Sequence, residues 1–95
     1  MYDDLPLINN RDNHSFEMII DGSRAFVDYM QRDNTYLLIH TEVPEALQGR
    51  GIAAALVEKI FKYLEANGFK MRVYCGYVQS YLKKHPEWHR LLETR

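Results

Sequence analysis

The sequence predicts an α/β chain in which a three-stranded antiparallel meander leads into a β-α-β unit and a C-terminal helix. Three observations carry that prediction. Apolar residues alternate with polar ones through the first half, and turn residues break the alternation twice. A helical period of apolar residues then runs from Ile52 to Leu64, and a second strand-like run, Phe69–Cys75, starts right after a helix stop.

Residues 1–13 are polar, carry Pro6 and end in Asn9-Asn10-Arg11-Asp12-Asn13, which reads as a loose lead-in with a short edge strand at Leu5–Ile8. Ser15–Ile20 alternates, with Phe16, Met18 and Ile20 on one face, and Asp21-Gly22 supplies a two-residue hairpin turn whose left-handed angles glycine accepts. In the next run, Arg24–Gln31, Ala25, Val27 and Tyr29 oppose Phe26 and Met30; Arg32-Asp33-Asn34 then turns the chain into a third run, Thr35–Val43. The helix expected from about Gly51 to Asn67 sets Ile52, Leu56, Ile60 and Leu64 four residues apart and leaves Glu58, Lys59, Lys62 and Glu65 outside, and Asn67-Gly68 stops it. Phe69–Cys75 reads as a buried strand, joined to the third run by a parallel right-handed crossover because a helix separates them. Tyr77–Lys84 is helical up to His85-Pro86, since proline disfavours helical angles in the residue before it. Glu87–Leu92 adds one more turn, with Trp88, Leu91 and Leu92 over the core.

The 95 residues fit one domain, 1–95, with one core. Apolar residues at 46% and charged ones at 26% exclude a disordered chain. Twelve basic against thirteen acidic side chains leave a net charge of −1, so no global field draws nucleic acid or an anionic membrane. Cys75 stands alone, which excludes an intramolecular disulfide and suits a reducing compartment; with no membrane-length apolar run and no signal-peptide pattern, a cytoplasmic location is the expectation. His85 and His89 have the spacing of a helical metal pair, but Pro86 interrupts that helix and no further ligand cluster accompanies them, so no metal site is expected.

The junction Val43–Ala53, V-P-E-A-L-Q-G-R-G-I-A, carries the chemistry. Gly49 and Gly51 let the backbone pass close to a ligand, Arg50 adds a cation, and the helix that follows aims unpaired N–H groups at the same place, an arrangement suited to phosphate. The Q-x-x-G-x-A pattern of Gln48, Gly51 and Ala53, after V-P-E, resembles the acetyl-CoA pyrophosphate loop of GNAT-type N-acetyltransferases. The order of elements over about 15–92, together with His40-Thr41-Glu42-Val43-Pro44-Glu45, Tyr74-Cys75, Tyr81 and His85-Pro86-Glu87-Trp88, is similar to the small GNAT-like proteins, a truncated form of that fold.

The resemblance implies acetyl-CoA or CoA as cofactor and an unidentified amine, small molecule or protein, as acceptor. It implies that Thr41, Glu42 and Val43 meet the pantetheine arm through main-chain groups. The pyrophosphate would then lie over the amides of Gln48, Gly49, Arg50, Gly51, Ile52 and Ala53. The acyl group would emerge where the third run and Phe69–Cys75 splay apart, near His40 and Cys75. Acetyl transfer needs a base, an oxyanion donor and an acid. Glu42 or His40 is the candidate base, both falling on one strand face opposite Thr41 and Val43, and the Val43 amide is the candidate oxyanion donor. Tyr81 matches the family's tyrosine acid, and Cys75, ahead of a helix N-terminus, permits an acyl-cysteine route with His40 as partner. Larger GNAT enzymes place helices between their first two strands, where this chain has only Asp21-Gly22; the acceptor side is therefore expected to be open, for a protruding amine, for a homodimer that completes the wall, or for a CoA-binding module that transfers nothing.

Overall fold

The computed structural model describes residue 2 and residues 4–93. Five strands form one sheet in chain order: β1 (Ile8–Asn10), β2 (Ser15–Ile20), β3 (Ser23–Arg32), β4 (Thr35–Glu42) and β5 (Lys70–Val73). The first four are antiparallel, and β5 runs parallel to β4 after the crossover through α1 (Ile52–Ala66). Helix α2 (Gly76–Lys84) follows, and Pro86–Leu91 forms a 3-10 segment. The helix expectation is met within a residue at each end, with Gly51 and Asn67 serving as caps.

Alternation explains the core. Phe16, Met18, Ala25, Val27, Tyr36 and Leu38 are fully buried on one face of the sheet. Against that face pack Leu56, Ile60 and Leu64 of α1, and the Phe61 ring meets Tyr81 of α2 and Trp88 beyond it. The opposite face has no helix against it among the described residues, and Met30 there is 52% exposed. No described helix is long and apolar enough to cross a membrane.

Two sequence expectations need correction. The edge strand lies at Ile8–Asn10 rather than Leu5–Ile8, because the turn at Arg11–His14 fixes its register, Asn10 opposite Ser15. Leu5 and Leu7 instead pack against the core as irregular chain; residues 1 and 3 of the lead-in lie outside the described residues. Strand β5 is shorter than the expected Phe69–Cys75, and only Met71 in it is fully buried, because it sits at the edge of the sheet with one face open. Beyond it, Leu92 forms a bridge to Met71, and the Glu93 amide donates to the Met71 carbonyl at 2.9 Å.

One feature of β4 escaped the pattern reading. Tyr29 pairs with Leu38 and Asp28 with His40, so Ile39 is an extra residue, a β-bulge. It resets the two-residue period: Tyr36 and Leu38 face the core before it, Thr41 after it, while His40 and Glu42 share the open face with their register partners Asp28 and Phe26.

Candidate functional site

After β4 the chain makes a 3-10 turn at Glu45–Leu47 and then two left-handed corners, Gly49 with φ 80° and Gly51 with φ 73°. A residue with a Cβ would cost about 1–2 kcal/mol in that region. Gly51 caps α1 without a side chain, and no acidic residue occupies the first turn. The Ala55 amide makes the first helical bond, to the Gly51 carbonyl at 3.1 Å, and the amides from Gly49 to Ala54 have no backbone acceptor among the described residues. The Gln48 amide is spent on the Glu45 carbonyl at 3.2 Å, so the row of free donors begins one residue later than the sequence implied. A row of N–H groups with an uncompensated helix dipole behind it attracts an anion.

A cavity of about 150 Å³ opens beside this row, lined by Val43, Leu47, Gln48, the two glycines and Tyr77 among others. The Gln48 amide nitrogen reaches the Val43 carbonyl at 3.2 Å, which ties down the strand exit. Arg50 turns toward the β2–β3 hairpin, its Nη1 lying 3.3 Å from Asp21 Oδ2, so its charge is shared with the hairpin.

The sheet splits just past this point. The amides of Tyr74 and Cys75 both donate to the Leu38 carbonyl, at 2.9 and 3.2 Å, and from His40 to Glu42 strand β4 pairs with β3 alone. On the helix side of the gap, Cys75 is 7% exposed and its Sγ lies 3.1 Å from Thr41 Oγ1. On the open side, His40 Nε2 lies 3.2 Å from Glu42 Oε1 with both side chains exposed, and the Phe26 ring is 6.4 Å from the His40 ring. His40 therefore does not partner Cys75; the bulge puts them on opposite faces, and Thr41 takes that place.

The two tyrosines of α2 diverge. Tyr77 lines the cavity shared with Val43, and burial pushes its phenol pKa up. Tyr81 stacks on His85 at 4.2 Å, meets Phe61 edge-on, and lines a neighbouring cavity of about 370 Å³ with Arg50, Glu58 and His85. Its phenol is also raised, by burial first and then by the carboxylates of Glu58 and Glu87 and the neighbouring Tyr77. The sequence singled out Tyr81 and gave Tyr77 no role in the chemistry. The available signal for Tyr77 was its place in the first turn after Cys75-Gly76, facing the loop.

A sheet split beside a glycine-cornered helix N-terminus defines an N-acetyltransferase-type fold, and the chain belongs to the GCN5-related N-acetyl-transferase family, whose profile matches residues 15–91. Among named proteins it is 41% identical over 82 residues to Protein NATD1 of Xenopus tropicalis, covering 82% of this chain and 74% of that protein. The Danio rerio protein of the same name is 29% identical over the same length. The Gallus gallus one is 41% identical over 49 residues, which are 44% of its length. The solution structure of a GCN5-like protein from Staphylococcus aureus aligns with a TM-score of 0.69 at 20% identity, covering 96% of this chain and 90% of that one, which shows the shared fold.

Proposed function

We propose that the chain, acting as a single domain, binds acetyl-CoA and transfers its acetyl group to an amine. The observation that carries this is the row of unpaired amides from Gly49 to Ala54 opening onto the cavity of Val43 and Tyr77. Family members typically use acetyl-CoA. The pyrophosphate would accept from those amides, each a charge-assisted bond. The pantetheine would run past Val43 toward the gap between β4 and β5, along Thr41 and Glu42, with Ile52 and Ala53 supplying amides at the helix start.

In the transfer, the amine nitrogen attacks the thioester carbonyl carbon and the C–S bond breaks as the tetrahedral intermediate collapses. The amine proton passes to Glu42, directly or through His40, whose ring touches its carboxylate. The developing oxyanion takes a bond from the Val43 amide, and the departing thiolate takes a proton from a tyrosine of α2. Tyr77 stands first for that role because it shares the Val43 cavity, with Tyr81 as the second phenol. Direct transfer is favoured over an acyl-cysteine, because the partner beside the Cys75 thiol is the Thr41 hydroxyl, not a base.

A second reading, a CoA-binding module without turnover, is favoured by the bare two-residue β2–β3 turn, which leaves the acceptor side unwalled. An amide NMR titration with acetyl-CoA tests the shared core of both. Saturable shifts over residues 43–54 and 74–81 are expected, and millimolar acetyl-CoA leaving them unmoved would overturn the proposal. Thiol release in the presence of amines then separates transfer from binding alone.

A further inference from the structure

The helix-free face of the sheet is polarised along the strands. Beside the gap it carries His40, Glu42 and Asp28, the last directly opposite His40 in the β3–β4 register. At the other end, next to the β3–β4 turn, lies a cavity of about 440 Å³ lined by Arg32, Arg72, Leu37, Tyr74 and turn residues. The Arg32 side chain has no ion-pair or hydrogen-bond partner among the described residues, although its backbone pairs with Thr35. Arg72 is oriented within the lining, its Nε 2.6 Å from Glu93 Oε1, with Tyr74 as a second partner. Between the two poles lie Met30 and Leu37, register partners that floor the face with apolar surface. Asp33 on the turn side and Glu93 beside Arg72 also line the cavity and oppose the guanidinium charge there, which leaves Arg32 as the cation whose side chain has no partner among the described residues.

We propose that the acceptor is an amine carrying a carboxylate across an apolar spacer, with its amine at the gap beside Glu42 and its carboxylate on Arg32 and Arg72. This rests on the acetyl-transfer reading. Leu37, which pairs with Arg72, lies opposite Met30, and Glu42 lies opposite Phe26; these partners are four residues apart on β3, which carries no extra residue, so the backbone at the two poles is roughly 13 Å apart at about 3.3 Å per residue. Guanidinium suits the carboxylate end because its planar donors match two oxygens at once. Met30 and Leu37 take the spacer, which a purely polar acceptor would leave in contact with unmatched apolar surface.

The test compares 8-aminooctanoate with its neutral relative 8-aminooctanamide, binding to the full chain by amide NMR. The carboxylate should move the signals of residues 32–37 and 72–74 and bind about tenfold tighter than the amide, the worth of one bond to a charged group. Arg32→Gln, at an exposed position without side-chain partners among the described residues, should abolish that difference. Asp33→Asn should enlarge it, since asparagine accepts the φ of 53° found there and removes the opposing charge. Equal affinities for the two probes, or a preference untouched by Arg32→Gln, would overturn the proposal. Acetyl-CoA titrated into the same samples reads residues 43–54 independently. A failure there sinks the acetyl-transfer reading, whereas intact acetyl-CoA shifts with no carboxylate preference sink only the acceptor class.

Discussion

Replacing Gly51 separates backbone strain from ligand access at one position. Its φ of 73° lies in the left-handed region, and a Cβ added there would meet nothing within 4 Å, so no packing term enters. For Gly51→Ala the left-handed conformation costs about 1–2 kcal/mol, offset by about 0.4–1 kcal/mol from the stiffer unfolded chain. The net loss is roughly 1 kcal/mol, which in a chain of this size lowers Tm by about 4–8 °C. Gly51→Asn should lose less, because asparagine tolerates the left-handed region, yet its side chain enters the open space in front of the free amides. Acetyl-CoA binding should therefore weaken in Gly51→Asn by roughly ten- to hundredfold, the loss of one charge-assisted bond, while Tm stays near that of the parent. Thermal melts by circular dichroism and titration calorimetry with acetyl-CoA read the two quantities separately. An unchanged Tm in Gly51→Ala would refute the strain argument, and undiminished acetyl-CoA binding by folded Gly51→Asn would refute the phosphate cradle.

Three other outcomes follow from the site and its surroundings. Tyr77→Phe should lower kcat about a hundredfold or more, as removal of a general acid does, with acetyl-CoA affinity kept within about twofold; an unaffected kcat, with the loss found in Tyr81→Phe, would move the role one turn along α2. Intact mass after incubation with acetyl-CoA should be unchanged, and a single acetyl adduct that disappears in Cys75→Ala would replace direct transfer with an acyl-cysteine. Glu17 is 5% exposed; burial alone would raise its carboxyl, but bonds from Arg24, Ser15 and Asn10 outweigh that and hold it below its ordinary 4.5. Its contribution is therefore present above the ordinary carboxylate range and is lost as pH falls through the lowered value. Glu17→Gln should cost about 1–2 kcal/mol at neutral pH, discounted for the half-exposed Arg24, and nothing once the pH is low enough to protonate the native carboxyl; a pH-independent gap in Tm would contradict this.

The fold was legible where one local rule decided the outcome. Asp21-Gly22 adopts two positive φ values, 52° and 79°, as a two-residue hairpin demands, and the four-residue spacing from Ile52 to Leu64 selected the buried stripe of α1. The GNAT-type family was legible from the glycine junction and the element order, which the family profile over 15–91 bears out. The bulge was not legible, because Leu38-Ile39-His40 reads as ordinary strand and only the pairing with Asp28 and Tyr29 reveals the extra residue. With it went the relation of His40 to Cys75, since a bulge reverses which residues look inward. The Arg32 and Arg72 cavity was also invisible: those residues are forty apart in sequence, on strands that flank β4, and only the pairing of β4 with β3 on one side and with β5 on the other brings them to the same end of the sheet.

The bridge from Leu92 to Met71 has a consequence for how the protein behaves in concentrated solution. Strand β5 would otherwise offer a row of unsatisfied N–H and C=O groups, a template for pairing with any other chain. Leu92 and the Glu93 amide occupy it, and Thr35 Oγ1 pins Glu93 from the neighbouring strand at 2.9 Å. At the far side, β1 is three residues long, too short to seed a stack. Resistance to self-association thus hangs on two residues beyond the last helical turn, and a chain cut back before Leu92 would keep its core while gaining a sticky flank.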